Sequence, residues 1–224
     1  MAHQADGTAP LRGGSVGLYV QYGCGHSAGE GWLNFDSSPT LLWEKLPILG
    51  RWSPNGAHFP PSVRFGNIVR GLPLPAGSCR GVYASHVLEH LTLSDFRRAL
   101  RNTLWLLEPG GVFRLVVPDL EVYARRYVED GDGLRFVRDM NLGRVGVGGG
   151  GENAAKALIT RLRGILGTSP HLWMWDYRGL SRELEEAGFT GIRRCEFGDA
   201  EDGMFARVEE ASRFVDAVGV EARR

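Results

Sequence analysis

The chain has 224 residues, 43% of them hydrophobic and 23% charged, which suits one compact α/β domain with room for an elaborated lid. Its 26 basic and 26 acidic residues cancel, so no net charge draws it to nucleic acid or to anionic lipid. The three cysteines, Cys24, Cys79 and Cys195, lack a CxxC spacing, which argues against a disulfide scaffold or a zinc knuckle and favours a reducing compartment.

The predicted elements begin after a polar, glycine-rich tail at residues 1–15, which we expect to be flexible. The tail lacks the apolar core of a signal peptide, and no run of about 18 apolar residues follows, so we predict a cytoplasmic protein without a membrane span. A β-branched and aromatic strand, Leu18–Tyr22, leads into Gly23-Cys24-Gly25. The next elements are a strand at 32–35 ending at Asp36, a helix at 39–49, a loop at 51–62 and a short strand at 63–65.

Strands and helices continue to alternate along the chain. We predict a strand at 81–85, a helix at 91–107 with Ser94 as N-cap and Pro109-Gly110-Gly111 as stop, a strand at 112–118 and a helix from Asp119. Helices at 152–166 and 178–187 and strands at 190–197 and within 213–220 follow. This order predicts a mostly parallel sheet with helices on its faces, in which the last two strands can pair antiparallel. Residues 121–175 are longer than a connection needs, so we predict a lid insertion in a single domain at 16–220.

The junction after the first strand is the expected ligand site, because open α/β sheets bind ligands at the carboxyl ends of their strands. Gly23 and Gly25 let the backbone approach a ligand closely, and the Asp36 carboxylate can accept hydrogen bonds from both ribose hydroxyls. Asp36 follows Gly23 by only 13 positions, too few for the helix and strand of a dinucleotide fingerprint. Without a helix N-terminus to hold a pyrophosphate, the pattern favours S-adenosylmethionine over NAD, with a plain turn as the alternative.

Four segments together resemble a family of class I S-adenosylmethionine-dependent methyltransferases. The run YGCGHSAGEGWLNFD resembles its GCG…GWxNxD motif, and GLPLPAGSCRGVYASHVLEHL resembles its SHVLEHL segment. LLEPGGVFRLVVPDL resembles its PGG…VPDL segment, and DYRGLSRELEEAGFTGIRR resembles its C-terminal helix and strand. The match covers about residues 18–120 and 176–220. It implies a Rossmann-like methyltransferase fold with a seven-stranded sheet and an antiparallel last strand, and it indicates no particular acceptor.

The resemblance also implies a cofactor site. It assigns contacts with S-adenosylmethionine to Tyr22, Gly23, Cys24, Gly25, Asp36, Asn67, Ile68 and Ser85. The Gly-Cys-Gly loop would face the methionine end, Asp36 the ribose, and Ser85 the floor of the site. Asn67 stands where the family has an acid facing the adenine amine, and its amide oxygen can still accept from that amine. Arg80 is a second departure, at a position where the family often has Asp.

His86, Glu89 and His90 follow the fourth predicted strand, and a helix beginning at Val87 would place them on one face. Three interpretations stay open for them. Glu89 and His90 brace the turn while His86 touches substrate; or His86 is a general base, with His171 on the lid side as second candidate; or the group binds a metal. The motif resembles the ExxEH of quinone O-methyltransferases, but His86 replaces the first Glu and no third zinc ligand is evident. We therefore predict no metal.

The aromatic segment HLWMWDY at 171–177 offers rings that would stack on a sugar, an arene or a lipid, or would seal the core under the lid. Taken together, the patterns predict in-line transfer of a methyl group to an oxygen or nitrogen of a small-molecule or glycan acceptor. No nucleic-acid partner is expected, and a homodimer is left open. The alternatives are a non-catalytic subunit that binds S-adenosylmethionine and, from another class, an NAD-dependent oxidoreductase.

Overall fold

One sheet of seven strands organises the computed structural model, which describes residues 17–44, 58–142 and 170–224. The strands lie in the spatial order β3-β2-β1-β4-β5-β7-β6. Their bounds are β1 (Leu18–Tyr22), β2 (Leu33–Asp36), β3 (Arg64–Phe65), β4 (Cys79–Ser85), β5 (Leu107–Pro118), β6 (Thr190–Cys195) and β7 (Ala217–Arg223).

The pairing of the strands confirms the predicted sheet. Strands β3, β2, β1, β4 and β5 pair in parallel, whereas β7 runs antiparallel between β5 and β6. The fold is therefore the Rossmann-like class I methyltransferase fold that the sequence predicts. The strand order reverses between β1 and β4, and the crevice at the carboxyl ends of these two strands is where such sheets bind ligands.

Helices cover one face of this sheet. The described helices are α1 (Pro39–Glu44), α2 (Leu93–Leu106), α3 (Leu120–Asp130), α4 (Gly133–Asp139) and α5 (Tyr177–Ala187), with 3-10 turns at Leu88–His90, Phe205–Arg207 and Ala211–Phe214. Apolar residues at helical spacing put Phe96 and Leu100 of α2, and Leu180 and Leu184 of α5, into the core. None of the helices in the described part of the chain has the length and apolar character needed to cross a membrane.

The opposite face is covered by a segment of little regular structure, residues 197–216, which we call the C-terminal strap. Ten residues without a helix, 23–32, connect β1 to β2, so no crossover helix covers this face near β1. Instead, Phe205 of the strap meets Trp32 at a centroid distance of 5.4 Å, and both rings are buried. The Trp32 indole Nε1–H donates to the Met204 carbonyl at 3.0 Å.

A buried cation sits under the strap. Arg114, in the middle of β5, is fully buried and donates to Glu209 (2.8 Å), Glu221 (2.6 Å) and Asp199 (2.9 Å), and to the Glu196 carbonyl (3.1 Å). Burial alone would lower the pKa of Arg114, but the surrounding anionic groups raise it above its ordinary value. The guanidinium therefore links β5 to β7 and to the strap through ion pairs with three carboxylates.

Several predicted boundaries were wrong for local reasons. The N-cap of α2 is Thr92, not Ser94, because the Thr92 side chain accepts from the Asp95 N–H. Pro109-Gly110-Gly111 does not separate α2 from β5. The helix ends at Leu106, and the strand begins at Leu107 with a register shift against β4. Strand β6 ends at Cys195, two residues before its predicted end, whereas β7 extends to Arg223, past the end of its predicted range.

Two further predictions concern the helices and the tail. Helix α1 begins at Pro39 as predicted and is described as far as Glu44. The chain after Val87 forms a single 3-10 turn, Leu88–His90, rather than the α-helix we expected. The predicted flexible tail at 1–15 and the predicted helix at 152–166 lie outside the described residues.

The cap of α2 can be tested by a matched pair of substitutions. Thr92→Ala should lower the free energy of unfolding by about 1 kcal/mol, because it leaves a helix N-terminal amide without its acceptor. Ser94→Ala should change it by less than about 0.5 kcal/mol, as for an ordinary exposed position. Urea denaturation of both variants measures these changes. If Ser94→Ala lowered the free energy of unfolding as much as Thr92→Ala or more, Ser94 would be the N-cap.

Candidate cofactor and acceptor site

The glycine loop, residues 23–32, begins where β1 ends, and its first two glycines, Gly23 and Gly25, have different roles. Gly23 has φ +65°, and a Cβ there would lie 2.2 Å from Val87 Cγ2, so packing against the start of the 3-10 turn demands glycine. Gly25 has φ +54°, and no described atom lies within 4 Å of where its Cβ would be. The loop is thus anchored at Gly23 and open at Gly25.

Asp36, at the end of β2, is folded back onto this loop. Its Oδ2 accepts from the Gly25 N–H at 2.9 Å, and its Oδ1 accepts from the Ser38 N–H at 2.7 Å. Each carboxylate oxygen can accept more than one hydrogen bond, so two further donors can still be accommodated. The structure therefore brings together Gly25 and Asp36, two of the eight positions at which the sequence predicts cofactor contact.

Cys24, between the two glycines, points away from the open side of the loop. It is buried with Leu41 and Val63. Burial, together with the nearby Asp36 carboxylate, raises the pKa of its thiol to about 12. A thiol of that pKa stays protonated near neutral pH and is a poor nucleophile. Cys24 accordingly contributes its backbone and its packing to the loop.

Asn34 holds the rest of the glycine loop in place, and the sequence analysis did not single it out. Its buried side chain accepts from the Gly29 N–H at 3.1 Å and donates to the carbonyls of Gly29 (3.1 Å) and Trp32 (3.0 Å). One amide thus satisfies the backbone of a loop too short to form a helix. The signal was present as the Asn of GWLNFD.

Tyr22, Asn67 and Ile68 are engaged elsewhere. The Tyr22 side chain is buried in the core beneath α2, where its hydroxyl lies 3.3 Å from Thr103 Oγ1, so only its backbone reaches the loop. The Asn67 side-chain oxygen accepts from the Val69 N–H at 2.9 Å, and Ile68 is buried with its carbonyl bound by Asn102. The assignment of Asn67 and Ile68 to the adenine side stays a prediction.

A small cavity lies beside the loop, between the ends of β1 and β4. It is lined by Gln21, Gly23, Cys24, Ser27, Tyr83, Ser85, Val208, Glu210 and Arg213. Gln21 Oε1 is buried and has no hydrogen-bond partner among the described residues. Burial, only partly offset by the neighbouring Ser85 hydroxyl, raises the pKa of Tyr83 to about 12. Ser85 lines this cavity, and its role at the floor of the cofactor site stays a prediction, whereas Glu210 and Arg213 come from the strap and carried no sequence signal.

The 3-10 turn after β4 carries a group that we call the histidine–glutamate cluster: His86, Glu89, His90 and His171. Oε1 of Glu89 faces one ring nitrogen from each histidine, at 3.5 Å from His86 Nδ1, 3.9 Å from His90 Nε2 and 4.0 Å from His171 Nε2. Glu89 is buried, and neither of its oxygens accepts a well-formed hydrogen bond from the described residues. His171, expected from the lid side, therefore belongs to the same group as His86.

Backbone contacts explain how His171 reaches the turn. The Glu89 carbonyl accepts from the N–H groups of Leu172 (2.8 Å) and Trp173 (3.1 Å), which docks the segment after residue 170 onto the turn. The His171 N–H in turn donates to the Asn141 carbonyl at 3.1 Å. Two sequence-distant segments thus fix the position of one imidazole.

The pKa values of His86 and His171 shift in opposite directions in this cluster. Burial alone would lower the pKa of His86, but the Glu89 carboxylate and the Arg213 carbonyl, 2.8 Å from Nε2, outweigh it and raise the pKa. Burial lowers the pKa of His171, and the Glu89 carboxylate only partly opposes that effect. A charged His86 beside Glu89 and a neutral His171 is the state that these contacts favour.

The aromatic segment divides between core and surface. Trp175 is buried and stacks on Phe96 at a centroid distance of 4.2 Å, so this ring seals the core. Trp173 is 41% exposed and remains available to a ligand. Tyr177 packs under Arg194, whose guanidinium lies 4.6 Å from the ring centroid.

A family comparison decides what kind of protein carries this site. The family of methyltransferase domains matches residues 49–194, which is more than half of the chain. This chain belongs to the methyltransferase domain family. Among curated proteins, no match was found.

Solved structures of methyltransferases are similar to this methyltransferase domain at low identity. A methyltransferase from Archaeoglobus fulgidus has 11% identity and a TM-score of 0.45, with 92% of this chain and 86% of that chain covered. One from Mesorhizobium loti has 20% identity and a TM-score of 0.47, with 92% and 90% covered. Human N-acetylserotonin methyltransferase, solved with S-adenosylmethionine, has 14% identity and a TM-score of 0.45, with 92% and 47% covered.

S-adenosylmethionine is the cofactor of this methyltransferase domain, and the residues at the crevice fit it. The space at Gly25 would be filled by a Cβ but is open in glycine, so a ligand can lie against the loop. Asp36 retains acceptor capacity for hydroxyl donors, and Gln21 Oε1 is a buried acceptor without a partner among the described residues. The glycine loop, all of which lies among the described residues, contains no helix whose N-terminus could hold a phosphate, which suits a cofactor that carries none.

Proposed function

We propose that the chain is an enzyme that transfers a methyl group from S-adenosylmethionine to an oxygen or nitrogen atom of a small-molecule or glycan acceptor. The observation that carries this proposal is the open space at Gly25 beside the Asp36 carboxylate, at the switch point of the sheet. When bound, the cofactor supplies a sulfonium methyl group, which the acceptor atom takes by in-line displacement.

The side chains of the site contribute positioning rather than covalent chemistry. The glycine loop and Asp36 would fix one partner, and the exposed Trp173, which is held to the 3-10 turn through its N–H, would form a wall for the other. Alignment of two reactants is worth about 7–11 kcal/mol of the barrier when the geometry is good. We also propose that residues 16–220 form a single domain, in which the insertion at 121–175 lies on the side of the methyl acceptor.

The general-base role of His86 and His171 stays a prediction, and the proposed function does not depend on it. Both ring nitrogens of His86 face oxygen acceptors, Nε2 the Arg213 carbonyl and Nδ1 the Glu89 carboxylate. This arrangement supports a role of His86 in holding Glu89, because neither ring nitrogen is left to take a proton from the substrate that receives the methyl group. A homodimer and a cytoplasmic location also stay predictions.

The proposal is tested first at Asp36. S-adenosylhomocysteine should bind the purified chain with a micromolar Kd, about −8 kcal/mol. Asp36→Ala should weaken binding at least about tenfold, because it removes acceptors for two hydroxyls and loosens the Gly25 amide. Isothermal titration calorimetry with S-adenosylhomocysteine, NAD and NADP measures this, with Asp95→Ala, which removes a partly exposed acid of α2 outside the crevice, as the matched control.

Two outcomes would overturn parts of the proposal. Binding of NAD without binding of S-adenosylhomocysteine would make the chain an oxidoreductase. Binding of S-adenosylhomocysteine without methyl transfer to any hydroxyl or amine in a broad acceptor panel would make it a non-catalytic subunit. Release of S-adenosylhomocysteine only when an acceptor is present is the result that we expect.

A further inference from the structure

We propose that Glu89, His90 and His171 form a binding site for a divalent transition-metal ion, with zinc as the expected ion. One ligand atom from each side chain lies within 4.8 Å of the other two. The sequence alone predicted no metal because no third ligand was evident, and His171, from a segment distant in the sequence, supplies that ligand. This inference does not rest on methyl transfer.

The carboxylate of Glu89 is the strongest reason for the proposal. The residue is 1% exposed, and its two oxygens lack a hydrogen-bond donor of normal geometry among the described residues. Burying a carboxylate is costly unless it is paired, hydrogen-bonded or bound to a metal. His86 offers one contact at 3.5 Å, which addresses one oxygen only.

The distances to the two other histidines suit a shared ion better than direct hydrogen bonds. His90 Nε2 and His171 Nε2 lie 3.9 and 4.0 Å from Glu89 Oε1, beyond hydrogen-bond range. Zinc bonds to nitrogen and oxygen are about 2.0–2.2 Å long, so two ligand atoms of a tetrahedral ion are about 3.4 Å apart. The His90 and His171 rings would complete the set if each moved by about 1 Å toward Glu89 and toward the other ring.

The outer contacts already orient one ligand. Nδ1 of His90 lies 3.2 Å from the Pro170 carbonyl, which can only accept, so Nδ1 carries a proton and Nε2 is the nitrogen that faces Glu89 and is available to an ion. A histidine that donates its second nitrogen to a carbonyl is the usual arrangement of a metal ligand. The His90 and His171 rings meet edge to face at 5.0 Å, so both present nitrogen to the same space.

The ligand types select the ion. Two imidazoles and one carboxylate are the set of catalytic zinc sites and of non-haem Fe(II) sites, whereas magnesium prefers oxygen. Three protein ligands leave one coordination position open, for water or for an acceptor oxygen. Such an ion would place a Lewis acid at the carboxyl end of β4, beside the crevice.

The test uses the full chain, stripped with EDTA and then titrated with Zn²⁺. We expect one zinc per chain by elemental analysis after dialysis, and a Co²⁺ form with the visible absorption of a four- or five-coordinate site. His171→Ala and His90→Ala should each weaken zinc binding by more than about 100-fold, since loss of even an outer partner costs about 10–100-fold. His58→Ala, which changes a histidine outside the cluster, should leave it unchanged.

Circular dichroism and Tm distinguish loss of folding from loss of zinc binding in each variant. Glu89→Gln removes a buried charge and can alter stability by itself, so circular dichroism accompanies each titration. Zinc should raise the Tm of the unmodified chain and of His58→Ala, but not of His171→Ala. Less than one-tenth of a zinc per folded chain, or equal zinc binding by His171→Ala and the unmodified chain, would overturn the proposal and leave Glu89 as the charge partner of His86.

Discussion

Gly25→Ala should weaken S-adenosylhomocysteine binding by roughly tenfold to a hundredfold, the effect of about 1–3 kcal/mol of overpacking. The reason is that the added Cβ enters the space that the glycine loop leaves open toward the crevice, where no described atom lies within 4 Å. The fold itself should lose only about 1–2 kcal/mol, the strain of a left-handed non-glycine residue. Calorimetric titration together with urea denaturation separates the two effects.

Gly23→Ala is the matched comparison, because its φ is similar but its surroundings are not. A Cβ there meets Val87 Cγ2 at 2.2 Å, so overpacking adds to the backbone strain. The free energy of unfolding should fall by about 2–5 kcal/mol. If Gly25→Ala binds S-adenosylhomocysteine as tightly as the unmodified chain, the open space at Gly25 is not part of the cofactor site.

Arg114→Met should lower the free energy of unfolding by about 3–5 kcal/mol, because it leaves Glu209 and Glu221 buried without their shared cation. The contrast is Arg193→Met. Arg193 binds Glu221 and Asp199 from a position 40% exposed, so its loss should cost no more than about 1 kcal/mol.

Restoring neutrality provides the control for Arg114. The triple variant Arg114→Met, Glu209→Gln, Glu221→Gln should recover part of the lost stability, since no buried charge is then left unpaired. Guanidinium denaturation of the unmodified chain, the two single variants and the triple variant makes the comparison. Equal loss from Arg114→Met and Arg193→Met would show that the buried cluster does not hold the strap to the sheet.

The sequence predicted the sheet well because strand identity depends on local patterns. Tyr19, Val20 and Tyr22 of β1 are aromatic or β-branched, and the strand runs into glycine, so the signal for a strand lies within a few residues. Boundaries were less accurate where a local signal has two meanings. Pro109-Gly110-Gly111 is typical of a helix stop, yet here it lies inside β5 as an irregularity, because the strand pairs with β4 at Leu107 and again from Val112 with a shifted register.

The candidate site was predicted in part for the same reason. Gly25 and Asp36 lie within one short motif, so their proximity could be read from spacing. The approach of His171 to Glu89 could not, because it depends on the N–H groups of Leu172 and Trp173 meeting the Glu89 carbonyl. Arg114 likewise finds its carboxylates 85 to 107 residues later in the chain.

The order in which the chain is assembled follows from the C-terminal strap. The glycine loop is held by residues that follow it by 172 positions or more: Ser27 donates to Glu210 at 2.7 Å, Trp32 to the Met204 carbonyl, and Gly29 packs against Val208. Contacts between such distant residues form late in folding, because closing the long intervening chain is costly. During synthesis, the glycine loop can therefore take its final shape only after the strap has left the ribosome. Binding of S-adenosylhomocysteine would then report completion of the whole sheet, from its first strand to its last.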